Sequence, residues 1–188
     1  MALRSNMLEL GTSAPDFSLP DTRTGGTVRR ADFAGRPLLV AFLSVHCPYV
    51  KRVEDGFATL AADALAAEVA VVAICANDID RYPDDAPEHM ADQAARLGFD
   101  FPYLFDESQA VAAAYRAACT PDFFLFDADH RLAYRGRMDG ATPGNDEPVT
   151  GAELRRAVDD VVTGRTPDAD QVPSMGCGIK WKPGNEPA

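Results

Sequence analysis

With 188 residues, 46 % of them hydrophobic, the chain can core one domain well but not two. A formal net charge of −11 argues against general affinity for nucleic-acid phosphates or anionic membrane surfaces. No apolar run approaches the roughly 20 residues of a membrane span. Residues 1–6 lead into no apolar signal core, and four cysteines without regular spacing do not make a disulfide framework. The expectation is a cytoplasmic protein whose thiols start reduced, with no nucleic-acid or membrane partner.

Residues 11–20 alternate weakly between prolines, which suits an edge strand, and a turn over 21–26 leads to a second short strand around Thr27 and Val28. The continuous apolar run 37–43 predicts a buried strand, and Val50, Val53, Phe57, Leu60 and Ala61 recur at helical spacing after it. Pro48 suits the first helical position, because its missing N–H has no partner there in any helix. Cys47 therefore falls at a strand-to-helix turn, where free N–H groups and the positive helix end favour thiolate over thiol. His46 and Lys51 add positive charge nearby in sequence. Cys47 is the candidate nucleophile.

Residues 69–76 predict a second buried parallel strand with Cys75 inside it as an inert structural thiol. The acidic stretch 77–92 includes Asp78, Asp80, Asp84, Asp85, Glu88, His89 and Asp92, but it lacks the calcium-loop spacing and its central glycine. It reads as a solvated loop and helix start, with Asp85 and Glu88 as cap and partner and Gly98 as the stop. Ser108 is expected to cap a helix presenting Val111, Ala114, Tyr115 and Ala118. The strand 123–126 follows, then a hairpin turn with a solvated His130 and a partner strand 132–135. Residues 136–148 form a long connection, and Thr150 with Glu153 reads as a capping box for a helix that Gly164 ends. The tail from Thr166 contains Met175, Cys177, Ile179 and Trp181, apolar enough to dock on the domain rather than stay disordered.

Alternating strands and helices with two parallel crossovers predict an α/β domain around a central mixed sheet. Cys47-Pro48-Tyr49-Val50 resembles the active-site turn of the thioredoxin fold with Val50 in place of its second cysteine. Ser44, three residues before Cys47, and the opening Ala14-Pro15-Asp16-Phe17 are similar to the alkyl hydroperoxide reductase/thiol-specific antioxidant branch of that superfamily. Within it, the chain looks like the peroxiredoxin-like proteins with a His-Cys-Pro-Tyr-Val-Lys active site, from Ala14 to Pro187.

The resemblance implies a thioredoxin-like domain over residues 1–165, with an N-terminal hairpin, and a tail over 166–188 packed on it. It also implies a cis Thr120–Pro121 bond beside Cys47; from the residues alone, a trans turn is the ordinary expectation. Ser44, His46, Pro48, Lys51 and Trp181 become substrate-side candidates, and no cofactor is expected. Cys177 is expected to resolve Cys47, since Gly176 and Gly178 let its backbone bend and Gly-Cys-x-Ile-Lys-Trp resembles the tail of those proteins. Cys119 is the competing choice.

Two enzymatic readings share this nucleophile. In thiol–disulfide exchange Cys47 attacks a protein or small-molecule disulfide and an unidentified thiol reductant restores it. In peroxide reduction it becomes a sulfenic acid that a second thiol condenses with. Peroxiredoxins keep a proline where this chain has Val40 and an arginine where it has Pro121, which favours disulfide exchange. Arg116, Arg135 and Arg137 are the conceivable substitutes. A metal-carrying module, with His46, Cys47 and Cys177 as ligands, ranks last because Lys51 occupies the place of the second cysteine in copper-carrying relatives.

Overall fold

The computed structural model describes residues 2–186; Met1, Pro187 and Ala188 lie outside them, and so does the end of the family-like stretch at Pro187. The N-terminal arm contributes Ala2–Arg4 (β1), Ser18–Pro20 (β2) and Thr27–Arg29 (β3), and the first apolar run forms Leu38–Phe42 (β4). Helix Pro48–Ala66 (α1), strand Ala70–Cys75 (β5), helix Pro87–Leu97 (α2), strand Tyr103–Phe105 (β6) and the short helix Ala110–Ala114 (α3) follow. The C-terminal half adds Cys119–Thr120 (β7), Asp122–Phe126 (β8), Leu132–Gly136 (β9), helix Ala152–Val162 (α4) and Met175–Gly178 (β10).

Five strands form the central sheet in the order β6-β5-β4-β8-β9. β4, β5 and β6 run parallel, and β8 lies antiparallel to both β4 and β9. All residues of β4 and β5 are buried, which is why both read as unbroken apolar runs rather than alternating ones. The pleat sends Leu39, Ala41 and Leu43 to a cluster with Val50, Phe57 and Leu60 of α1, Met90 of α2 and Leu154 of α4. It sends Leu38, Val40 and Phe42 to the other face, against Phe17, Leu19, Phe33 and Tyr115. The β2–β3 hairpin closes the β6 edge, where the buried Asp21 carboxylate accepts from the backbone N–H of Tyr103 at 3.1 Å.

Gly98 ends α2 at φ 65°, as expected. Other local expectations are corrected. Asp85 does not cap α2: Ala86 does, with no side-chain cap, and Asp85 turns inward because other backbone N–H groups need its oxygens more. Gln109, at φ 64°, rather than Ser108, is the N-cap of α3, and Asp106 accepts from the N–H of Ala112 at 2.8 Å. Val111 and Ala112 are buried on that helix, while Ala114 is exposed. The capping box at α4 does not form. Gly151 at φ 66° is the N-cap, Glu153 pairs with Arg137 at 2.7 Å, and Asp139 takes the N–H groups of Thr150 and Gly151 at 2.7 and 2.6 Å. His130 is buried rather than solvated, with Nδ1 2.8 Å from Arg30 Nη1.

The tail pairs on both edges. β10 lies between β1 and β7, antiparallel to each, in a separate three-stranded sheet. Gly176 serves close approach rather than bending: a Cβ there would overlap the carbonyl oxygen of Thr120.

Phe57 stands at the centre of the helical face, with ring centroids 6.1, 6.0 and 5.5 Å from those of Phe99, Phe101 and Phe123. Phe57→Ala is expected to cost about 3–5 kcal/mol in urea unfolding, since close neighbours on three elements cannot all collapse into the void.

Candidate active site

β4 ends one turn short of the nucleophile. Its line is extended by the Leu43 N–H bonded to Ile74 O at 2.9 Å, and the chain then turns through Ser44, Val45 and His46. Cys47 is the N-cap of α1, with φ −67° and ψ 121°, Pro48 takes the first helical position, and the Lys51 N–H bonds to Cys47 O at 2.9 Å.

The turn is held by Asp85, which has no exposed surface. Its Oδ1 accepts from the N–H groups of Val45 and His46 at 2.7 and 3.2 Å and from Ser44 Oγ at 3.0 Å. Its Oδ2 accepts from Asn77 Nδ2 at 2.6 Å and lies 2.7 Å from His46 Nδ1. The His46 ring stacks on Tyr82, with centroids 5.6 Å apart and 9° between planes, and Lys180 Nζ sits 5.6 Å from that Tyr82 centroid. Sequence reasoning missed Asp85, because an aspartate in an acidic stretch looks solvated and its turn partners lie about 40 residues away.

Cys47 is fully buried and its thiol donates to Thr120 O at 3.2 Å. The Thr120–Pro121 bond is cis. Across β7, β10 sets Cys177 opposite Thr120 and Gly178 opposite Cys119. Three of the four cysteines thus gather around one carbonyl. The Cys177 side chain lies beside Cys47 and the backbone N–H of Tyr49.

Burial, and then the hydrogen bond and charge of Cys47, push the Cys177 thiol up to about 11, against the pull of Lys180 and the Tyr49 N–H. Cys119 is driven far above the thiol range, chiefly by burial and then by Asp122, and its sulfur faces Pro121 O at 3.7 Å. Cys75 is held far above it too, by burial first and Asp85 second. Asp122, directly after Pro121, is fully buried; its carboxyl is pushed up to about 8 by burial, against bonds from Ala118, Ser5 and Phe123.

The remaining candidates separate. The Ser44 hydroxyl is spent on Asp85, so it does not point at a substrate on Cys47. Lys51 is exposed and lines an outer cleft with Val45, His46, His89 and Arg96. Trp181 does not join Cys47: it packs against the cluster on the opposite sheet face, while Cys47 and Cys177 belong to the helical face. A cleft of about 120 Å³ reaches Pro121 from the other side, lined also by Tyr49, Val53, Met175, Arg4 and Arg137. Arg137 there is tied to Glu153, while Arg116 is exposed and Arg135 bonds Gln171 at 2.7 Å. Among the described residues, no three His, Cys, Asp or Glu side chains converge as a metal site, and no helix is long and apolar enough to cross a membrane.

A mixed sheet with a Cys-Pro helix start facing a cis-proline is the thioredoxin-like architecture, and it puts the chain among the thioredoxin-like redox proteins. The AhpC/TSA family model matches residues 10–135, and the chain belongs to that family. An uncharacterized conserved protein from Geobacillus kaustophilus is similar at 46 % identity and TM-score 0.95, over 97 % of each chain. A hypothetical protein from Sinorhizobium meliloti is 48 % identical with TM-score 0.93, over 96 % of this chain and 99 % of that one. A putative thiol:disulfide interchange protein DsbE from Chlorobium tepidum shares the fold at 20 % identity and TM-score 0.63, over 83 % of this chain and 99 % of that one. No curated protein matches the sequence. The family match ends before the tail, so Cys177 lies outside it, although the two more similar structures extend over nearly the whole chain.

Two outcomes follow from the buried carboxyls. Asp85→Ala strands the Ser44–His46 donors, and is expected to cost about 3–5 kcal/mol in urea unfolding and to slow Cys47 alkylation by loosening the turn that holds it. Asp122 keeps its proton in the folded state from its ordinary value of 3.8 up to about 8. Its contribution to stability is therefore full below the lower value and lost as pH rises through the upper one. Urea midpoints of Asp122→Asn should lack the decline that the wild type shows across that window.

Proposed function

We propose that this protein is a thiol–disulfide oxidoreductase with Cys47 as nucleophile and Cys177 as the resolving thiol. The observation that carries this reading is the convergence of two thiols on one carbonyl: the Cys47 thiol donates to Thr120 O at 3.2 Å, and strand pairing sets Cys177 directly opposite Thr120. No second cysteine follows one helical turn along, so a thiol supplied from the tail completes the pair.

Cys47, losing its proton, attacks one sulfur of a disulfide; the Cys47–substrate bond forms and the first substrate thiolate leaves. Cys177, as thiolate, then attacks the Cys47 sulfur, closing a Cys47–Cys177 disulfide and expelling the second substrate thiolate. The two protons lost by the protein thiols balance the two thiolates, and the substrate is reduced by two electrons. An external thiol reductant reverses the intramolecular disulfide and closes the cycle.

The environments of the two cysteines support this order of steps. Burial raises Cys177 most, and the next two effects that raise it come from Cys47 itself. Once Cys47 is tied in a mixed disulfide both vanish, and Cys177 becomes the better nucleophile when it is needed. Cys119 is released less, because burial and then Asp122 lead the causes that raise it, ahead of Cys47.

Peroxide reduction, the second reading, is less well supported. Val40 and Pro121 stand where the resemblance leads one to expect a proline and an arginine, and the Ser44 hydroxyl is committed to Asp85. The acidic chain and reduced thiols fit a cytoplasmic setting.

Reduced wild type treated with a model disulfide is expected to release both substrate thiols, with non-reducing peptide maps linking Cys47 to Cys177. Cys177→Ser should release one thiol and stop as a mixed disulfide at Cys47; Cys47→Ser should release none through this route. A Cys47–Cys119 link, or normal turnover by Cys177→Ser, removes Cys177 from its role. Peroxide consumption faster than disulfide exchange, lost in Cys47→Ser, reverses the order of the two readings.

A further inference from the structure

We infer that the tail strand is the specificity element of this site: it admits small disulfides to Cys47 and excludes extended polypeptide disulfides. The inference rests on the thiol–disulfide reading above and adds its substrate class.

The Cys47 thiol touches backbone at one strand, β7, through Thr120 O at 3.2 Å. A polypeptide held beside Cys47 by main-chain hydrogen bonds would add as a strand to that backbone. β10 already lies there, with Cys177 opposite Thr120, Gly178 opposite Cys119, and the Ile179 N–H bonded to Ala118 O at 3.1 Å. The seat is flush, since Gly176 has no room for a Cβ against the Thr120 carbonyl.

Anchors on both sides keep the strand in place. Before it, Ser174 Oγ donates to Gly136 O at 2.7 Å, and the Ser5 N–H bonds to Ser174 O at 2.9 Å. After it, Asn77 Oδ1 accepts from the Lys180 N–H at 2.8 Å, and Lys180 O accepts from the Asp78 N–H and from Gln109 Nε2 at 2.8 and 2.9 Å. An incoming chain must displace β10 between these points and break its pairing with β1 as well.

A small molecule faces a lower barrier. The half-buried Cys177 side chain lies beside Cys47, and a small disulfide that turns it aside need not move the backbone of β10. The neighbouring cleft lined by Tyr49, Val53 and Pro121, about 120 Å³, suits a compact group rather than a chain in extended form.

The test compares one electrophile in two sizes, in the full-length Cys177→Ser background so that Cys47 is the reacting thiol. The probes are 5,5′-dithiobis(2-nitrobenzoate) and an extended cysteine peptide activated as its nitrothiobenzoate mixed disulfide, which release the same chromophore; rates of a Cys47→Ser/Cys177→Ser control are subtracted. The small probe is expected to react faster by at least roughly tenfold, the factor that a modest local opening free energy imposes. Each rate is normalised to that of a free cysteine peptide with the same probe.

Gly176→Val in this background forces β10 off β7 and should raise the peptide rate towards the small-probe rate. Hydrogen exchange at the Ile179 amide reports the release. If Gly176→Val fails to fold, Ser174→Ala removes one anchor without a clash and should move the ratio in the same direction by less. Equal normalised rates for both probes while the Ile179 amide stays protected overturn the inference and leave the thiol–disulfide reading standing. No reaction of Cys47 with either probe overturns that reading and this inference with it.

Discussion

The buried Asp85 carboxylate is the interaction on which the site depends. A strand that stops abruptly before a helix leaves backbone N–H groups without ladder partners. Here those of Val45 and His46 both end on Asp85 Oδ1. The same carboxylate takes the Ser44 hydroxyl and the Asn77 amide and lies against the His46 imidazole, so it joins the Cys47 turn to the loop after β5. A carboxylate with no exposed surface is costly unless its oxygens are filled, and here they are filled by the groups that aim Cys47. Asn77 also receives the Lys180 N–H, so the tail that carries Cys177 is anchored to the same network.

The second organising constraint is steric. β7 has two residues, too short to stand alone, and it is held as a strand by β10 and, through it, by β1. This small sheet brings the N-terminus, the cis-proline segment and the tail together on the thiol face of the domain. Gly176 makes the approach possible because it adds no Cβ between the two backbones. Cys177 is therefore delivered by backbone pairing rather than by a loose arm, and its side chain lies beside Cys47.

The cysteines differ in environment rather than in chemistry. Cys75 and Cys119 sit in the core, where burial makes a thiolate very costly. Cys47 is just as buried, but it occupies a helix start against an acceptor carbonyl and a second thiol. Cys177 alone of the four is not fully buried.

By itself the sequence determined the elements that depend on local or periodic signals. The apolar runs became β4 and β5, the Cys-Pro start and its 3.6-residue periodicity became α1, and Gly98 stopped α2. Resemblance supplied the cis Thr120–Pro121 bond, for which the residues alone pointed to trans. Tertiary structure decided which polar groups are structural. Asp85 looked like a cap residue and His130 like a solvated one, and each is buried, because the need for an acceptor or partner arises from chain segments far away in sequence. Tertiary structure also decided that Trp181 faces away from Cys47 while Cys177 meets it. A side chain's face of the sheet depends on strand register, and the register of β10 is set by its pairing with β1 and β7 rather than by anything local to residues 175–181.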